Sequence, residues 1–306
     1  MNIALIAERS AGLMALRTIL ASQHRLVAVY ASPGDGNSSP TVWSEARRRG
    51  IRPTQAQELK NARAADDVRE FAVDVIINVH SVVLLPANVR EAVTLGAFNL
   101  HPGPLPRYAG LNTASWAIYR GESEFGVTLH KMTERIDAGP IVDETSFPIL
   151  PTDTGLTLSG RCWTRGMLLL ERFLQQLSVA PQDIRSQPQD LAQRQYFGKD
   201  IPQAGQIDWN LPAQRVHDFV RASNFFPYRS PWGIPRASVG HQEIGIVQTA
   251  LTHESCIDPA GTVVLTDSGL KTACGDEWLM VERVDIKGKI LRALDALKHR
   301  YAPSAA

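Results

Sequence analysis

The sequence predicts an α/β protein: a doubly wound, mostly parallel sheet followed by a smaller C-terminal β-barrel-like domain. Three observations carry that reading. Apolar runs alternate with helical patterns up to Gly121, which implies βαβ units covered on both faces. A long amphipathic stretch, residues 153–177, follows two further strand-like runs. Beyond Val239 the chain turns to short strands at close spacing, the pattern of a small antiparallel barrel or sandwich.

Met1–Ala7 is a short apolar run and reads as a buried strand, and "AGLMALRTILASQ" after it has helical spacing. "RLVAVYASP" is a second strand that stops at Pro33 and Gly34. "GDGNSSP", which holds Asp35, is a loop, and "TVWSEARRRGI" is a helix ending at Gly50. Its Arg47–Arg49 run reads as a solvated face rather than a phosphate cradle. "FAVDVIINVH" is read as the third strand, and "LGAFNLHPG" carries the fourth. The first strand–helix turn holds only Gly12, so neither a dinucleotide fingerprint nor a phosphate loop is expected there. "FGVTLHKM" and "GPIVDETSFPI" are strand-like runs around "TERIDAG". The helix of residues 153–177 has Asp153 or Thr154 as N-cap. These elements give a first domain over residues 1–180. A linker rich in Gln, Pro and Asp follows over 181–206. The C-terminal domain, 207–306, has a helix, "AQRVHDFVRAS", and a small OB-like β-barrel.

Bulk properties exclude several classes. Lys plus Arg number 32 against 31 Asp plus Glu in 306 residues, so no whole-protein field attracts nucleic acid or an anionic membrane. The N-terminus lacks a basic segment followed by a long apolar one, and no run reaches a membrane span. Three distant cysteines, Cys162, Cys256 and Cys274, suit neither a disulfide framework nor a zinc site. A cytoplasmic protein without a metal is expected. Cys162 is read as core.

The chemistry concentrates in "FNLHPGPLPRYAG". Asn99 and His101 are two residues apart at the end of an apolar strand, so both side chains leave one face. Ligands of parallel sheets bind beyond the carboxyl ends of the strands. The prolines and glycines that follow stiffen the turn and fix both groups. Asp137, in the loop between two strands, can orient the imidazole and favour its charged form. The bland alternative is that these residues satisfy backbone groups and form turns. His130 is read as a satisfied histidine outside the chemistry. Trp116 and Tyr119 share a helix face, as core or as a wall beside the site. "FFPYRSPWG" at 225–233 is read as a hydrophobic seam in preference to a stacking platform.

Taken together, "FNLHPGPLPRYAG" and "GESEFGVTLHKMTERIDAGPIV" resemble the folate-dependent formyltransferase family. It includes methionyl-tRNA formyltransferase, glycinamide ribonucleotide formyltransferase, amino-sugar N-formyltransferases and formyl-folate hydrolases. The resemblance covers most of residues 1–175 and continues more weakly to the C-terminus. It implies a Rossmann-like catalytic domain and a formyl donor, 10-formyltetrahydrofolate. It also implies a catalytic set of Asn99, His101 and Asp137. Segments implied to hold the pterin comprise Val82, Val83, Leu84 and Leu85, with Arg135, Ile136, Ala138 and Gly139. His80 and Ser81 depart from the residues expected of the tRNA enzyme. Tyr108, Asn112 and Trp116 are the residues expected to meet the acceptor. An unprotonated amine attacks the formyl carbon, and His101 with Asn99 stabilises the oxyanion. Asp137 supports His101 and relays a proton.

The acceptor is expected to be the amine or hydroxylamine of a small molecule, such as an amino-sugar nucleotide or an amino-acid derivative. Methionyl-tRNA is the first alternative and water, in a hydrolase, the second. "ASPGDGNSSPTV" has no Lys or Arg where the tRNA enzyme carries a basic insertion. The C-terminal group Lys287, Lys289, Arg292, Lys298 and Arg300 is read as a solvated rim. A homodimer is compatible with the sequence.

Overall fold

The computed structural model describes residues 1–34, 40–239, 242–266 and 269–296. Asp35, Lys298 and Arg300 lie outside the described residues. The chain divides into two compact units. The first holds residues 1–110, 125–147 and 160–196; the second holds 111–124, 148–159 and 197–306.

The first unit opens with β1 (Asn2–Ala7), α1 (Arg9–Ala21), β2 (Arg25–Ala31) and α2 (Val42–Arg48). β3 (Thr54–Gln55), α3 (Ala64–Glu70), β4 (Val75–Val79), α4 (Ala87–Arg90) and β5 (Gly96–His101) follow. After β6 (Ala109–Gly110) and α5 (Thr113–Arg120) come β7 (Glu124–Lys131), β8 (Ile141–Pro148) and α6 (Gly155–Val179). One seven-stranded sheet runs in the order β3-β2-β1-β4-β5-β7-β8. β1, β2, β3, β4 and β5 pair in parallel, and β7 joins β5 antiparallel. The expected mostly parallel α/β sheet is therefore present. The core strands are largely apolar because both faces are covered: Ile3, Leu5, Ile6, Ile76 and Ile77 have no exposed surface.

The third strand differs from the sequence reading. β4 begins at Val75, because Ala72 sits at φ 48° and Phe71 is exposed. Two elements before it, β3 and α3, escape pattern reading. A two-residue edge strand has no alternation to read, and α3 buries only Ala64, Ala65 and Val68 among charged residues. α6 starts where its cap residues place it. Thr154 Oγ1 accepts from Thr157 N–H at 3.2 Å, Thr157 Oγ1 accepts from Thr154 N–H at 2.8 Å, and Asp153 bonds the same hydroxyl.

The second unit contains α5, the chain from Phe197 of β9 (Tyr196–Phe197) onward, and α7 (Ala213–Ser223). Its antiparallel sheet comprises β10 (Arg236–Val239), β11 (Gln242–Ser255), β12 (Val263–Thr266), β13 (Gly269–Ala273), β14 (Glu277–Ile286) and β15 (Lys289–Arg292). The order is β10-β11-β14-β13-β12, with β15 on β14. Val216 and Val220 of α7 join Ile244, Ile246, Leu279 and Val281 in one core.

Candidate active site

β5 carries opposite chemistry on its two faces. Phe98 and Leu100 point toward α6: the Phe98 ring lies 4.6 Å from that of Phe173, and Leu100 packs so closely that a Cβ on Gly166 would sit 3.0 Å from it. Asn99 and His101 point the other way. The register sets Asn78 of β4 and His130 of β7 beside Asn99, and Thr128 of β7 beside His101. Side chains opposite one another on neighbouring strands share a face, so these five polar residues gather on one surface.

The "HPGPLP" turn holds His101 by folding back on it. The Tyr108 carbonyl lies 2.6 Å from His101 Nε2, so Nε2 carries the proton and donates. Gly103 makes this possible: a Cβ there would lie 2.7 Å from that carbonyl oxygen and 2.9 Å from Nε2. Thr128 pins the turn from β7, donating to the Gly103 carbonyl at 2.8 Å and accepting from Leu105 N–H at 3.2 Å. His101 is 3% exposed. Its remaining nitrogen, Nδ1, faces Asp137 Oδ2 at 3.6 Å.

Asp137 reaches the cluster from the loop between β7 and β8, with its backbone at φ 51°. Its Oδ2 accepts from Gly110 N–H at 2.9 Å, and its Oδ1 accepts from Asn99 Nδ2 at 3.3 Å. Burial opposes its ionisation, but the neighbouring His101, His130 and the Gly110 N–H outweigh that and hold it well below the usual carboxylate range. His101 is displaced downward from its ordinary value. Burial is the main cause, while Asp137 and the Tyr108 carbonyl act in the opposite sense. At rest the pair is an anionic Asp137 beside a neutral His101, with the Nδ1 lone pair poised to take a proton.

Two residues of this face were not assigned a role from the sequence. His130, read there as a bystander, belongs to the cluster. The Lys131 carbonyl at 2.9 Å fixes a proton on its Nδ1, and its Nε2 faces Asn99 Nδ2 at 3.1 Å and Asp137 Oδ1 at 3.5 Å. Applying the two-residue alternation to β7 as well as β5 would have found it beside Thr128. Asn78 donates from Nδ2 to Asn99 Oδ1 at 3.0 Å and to the Ser81 carbonyl at 3.3 Å. One polar residue inside the apolar run "VIINV" was its signal. Asn78 thereby fixes which way the Asn99 amide points, with its NH2 toward His130 and Asp137.

The segments expected to hold a pterin lie after β4 and after β7. Val82 is 78% exposed and Leu84 58%, while Val83 and Leu85 turn inward to the core cluster that also takes Met132. Ile136 is 38% exposed and Arg135 is exposed; Ala138 is half-buried. A side chain at Gly139 would overlap the Lys131 carbonyl. These walls offer bare apolar side chains, which fit the face of a flat heterocycle. His80, at φ 59°, stacks on Trp163 at 4.5 Å, and burial with a contribution from Arg9 pushes it down to about 4.

The residues expected to meet the acceptor are dispersed. The Tyr108 ring is 1% exposed and packs edge-on against Phe125 at 5.4 Å, so it is core, and its carbonyl is what serves the site. Asn112 and Trp116 lie in the second unit. Asn112 is at φ 53° before α5. Trp116 packs on Phe197 at 5.1 Å, Trp232 at 5.0 Å and Tyr119 at 5.8 Å. Of the 225–233 segment, Trp232 is in this cluster, while Phe226 and Tyr228 are 50% and 70% exposed. Arg48 and Arg49 pair with Glu45. Arg47 lines an open cavity of about 500 Å³ with Trp43, Ile51 and Arg52, none of which belongs to the Asn99–His101–Asp137 cluster. Among the described residues no cluster of three His, Cys, Asp or Glu could hold a metal, and no helix is long and apolar enough to cross a membrane.

Comparison with known proteins places the chain in a family. Residues 20–172 match the family model for formyl transferase, and residues 201–300 match that for its C-terminal domain. An N-formyltransferase from Helicobacter canadensis, solved with folinic acid and dTDP-3-aminofucose, shares the fold. It has 20% identity and a TM-score of 0.70 over 91% of this chain and 98% of its own. WlaRD, a sugar 3N-formyl transferase solved with dTDP and 5-N-formyl-THF, gives 19% identity and a TM-score of 0.71 over 92% and 97%. HypX from Aquifex aeolicus, solved with tetrahydrofolic acid, gives 19% and 0.58; it matches 96% of this chain, which spans 46% of HypX. With both domain models matched in order along its length, the chain belongs to the formyl transferase family.

Proposed function

We propose that this protein transfers the formyl group of 10-formyltetrahydrofolate to the amine or hydroxylamine of a small acceptor, an amino-sugar nucleotide or an amino-acid derivative. The observation that carries the reading is the joined set of Asn99 and His101 on one face of β5 and Asp137 from the β7–β8 loop, with each group's orientation fixed by a named partner. The apolar side chains of Val82, Leu84 and Ile136 and the backbone of residues 135–139 would hold the pterin. The folate supplies an electrophilic formyl group on nitrogen, so no covalent protein nucleophile is required.

The three residues divide the work. Asn99 is half-buried, whereas His101 and Asp137 are buried. Its Nδ2 is the donor open to a formyl oxygen that gains negative charge, because the 3.3 Å bond to Asp137 is long and its hydrogen can be redirected. Behind it, His101 Nδ1 takes the proton lost by the attacking amine, and anionic Asp137 stabilises the imidazolium so formed; as the bond between the formyl carbon and the folate nitrogen breaks, that proton passes to the departing nitrogen, tetrahydrofolate leaves and His101 is neutral again. His130 and Asn78 hold the Asn99 amide in register. The Tyr108 carbonyl keeps the other imidazole nitrogen occupied, so proton exchange is confined to Nδ1.

The acceptor is tested by incubation with 10-formyltetrahydrofolate and a panel of small amines, with methionyl-tRNA and water as separate arms. The expected result is one formyl group added to a small amine. Steeply salt-dependent formylation of the tRNA alone would replace this reading with the tRNA enzyme. Release of formate with every amine unchanged would make the protein a hydrolase.

A further inference from the structure

We propose that Gln189 is a positioning residue for the His101–Asp137 pair; the proposal rests on the functional reading above and adds a residue to it. Residues 181–206 read as a linker in the sequence, but part of that stretch grips the catalytic loop. Gln189 Nε2 donates to the Asp137 carbonyl at 3.1 Å and to the Gly139 carbonyl at 2.7 Å. Two carbonyl acceptors leave no choice of amide orientation, since only the NH2 group can serve both. Arg194 Nη2 takes the preceding carbonyl, that of Ile136, at 2.9 Å. Gln187 and Ile141 exchange both backbone bonds at 2.8 Å on the far side of the loop.

The same strap also reaches the turn that holds His101. Ala109 N–H donates to the Gln195 carbonyl at 3.0 Å, and Gln195 N–H donates to the Pro106 carbonyl at 3.3 Å. Residues 187–195 therefore tie the Asp137 loop and the His101 turn to a common support. The need for it is physical. Asp137 occupies the left-handed region, a conformation that is unfavourable for a residue with a side chain and persists where neighbours enforce it. Released from Gln189, the loop relaxes, and the 3.6 Å separation of Asp137 from His101 Nδ1 is the distance that changes.

Gln189→Met keeps the volume and removes both donors, and Gln189→Asn keeps the amide on a stem too short for both carbonyls. The first readout needs no substrate: the titration of His101 followed by histidine-selective NMR in the wild type, in both variants and in Asp137→Asn. Asp137 raises the affinity of His101 for its proton, so the midpoint falls in Asp137→Asn and falls in the same direction, by less, in the Gln189 variants. The second readout is turnover, with kcat reduced on the order of 10²-fold and the KM for the amine little changed. A wild-type His101 midpoint in a folded Gln189→Met or Gln189→Asn protein overturns the proposal, even if thermal stability drops. If no amine proves to be a substrate, the NMR titration still decides the role of Gln189, so the two readings fail separately.

Discussion

Two regions of the chain gather aromatic and polar side chains, and they hold them by different means. On the β5–β7 face, Asn99, His101, His130 and Asp137 are fixed by directional bonds to one another and to named backbone groups. In the second unit, Trp116, Tyr119, Phe197 and Trp232 meet ring against ring, and the Nε1 atoms of Trp116 and Trp232 are buried with no hydrogen-bond partner. Directional bonds set the position and protonation of each atom, which chemistry on a formyl group demands. Ring packing buries a large apolar area and tolerates small displacements, which is what a stable core demands. Substitutions in the first region should therefore change turnover more than stability, and substitutions in the second the reverse.

The largest expected effect comes from Asp137→Asn. The amide can still accept from Gly110 N–H, so the fold persists, but it no longer stabilises a charged His101. The expected outcome is a loss of roughly 10²–10⁴-fold in kcat, with the remaining activity retained to lower pH because His101 then charges less readily. Steady-state kinetics across pH check both parts. Trp116→Ala should do the opposite, costing about 3–5 kcal/mol of stability through the cavity it leaves, with the NMR titration of His101 unmoved. Denaturant unfolding of the whole chain reads the first number.

The His80–Trp163 stack gives the pH dependence of stability a sign. Folded His80 resists protonation down to about 4, against 6.5 for an ordinary histidine. The unfolded chain therefore binds this proton first, and stability is lost as pH falls from about 6.5 to about 4, by up to about 3 kcal/mol. His80→Phe keeps a ring against Trp163 and should flatten that dependence in thermal melts recorded between those limits. Thr128→Val should be the mildest. It leaves the Gly103 carbonyl and Leu105 N–H without their buried partner, a cost of about 1–3 kcal/mol in urea titration.

Much of this was legible in the sequence because the motif residues are also the geometric ones. Asn99 and His101 share a face for the reason any i and i+2 pair does, and Gly103 and Gly139 are glycines because a carbonyl occupies the space of a side chain. What stayed hidden came from partners distant in sequence. His130 looked ordinary until the antiparallel register put it beside Asn99, and Gln189 looked like linker until its loop closed on Asp137. Tyr108 misled in the other direction, since an aromatic residue in a motif suggests a ligand wall while its carbonyl does the work. β3, only two residues long, and α3, which buries three small side chains among charged ones, gave no periodic signal at all.

The central claim is that His101 and Asp137 act as one proton-holding unit in formyl transfer to a small amine. A double-mutant cycle on kcat with His101→Ala, Asp137→Asn and the double variant tests it most directly. The account predicts that the double variant is about as slow as His101→Ala alone, because Asp137 has nothing to support once the imidazole is gone. If the two losses multiply, so that the double variant is slower by the full product, the residues act separately and the account is wrong.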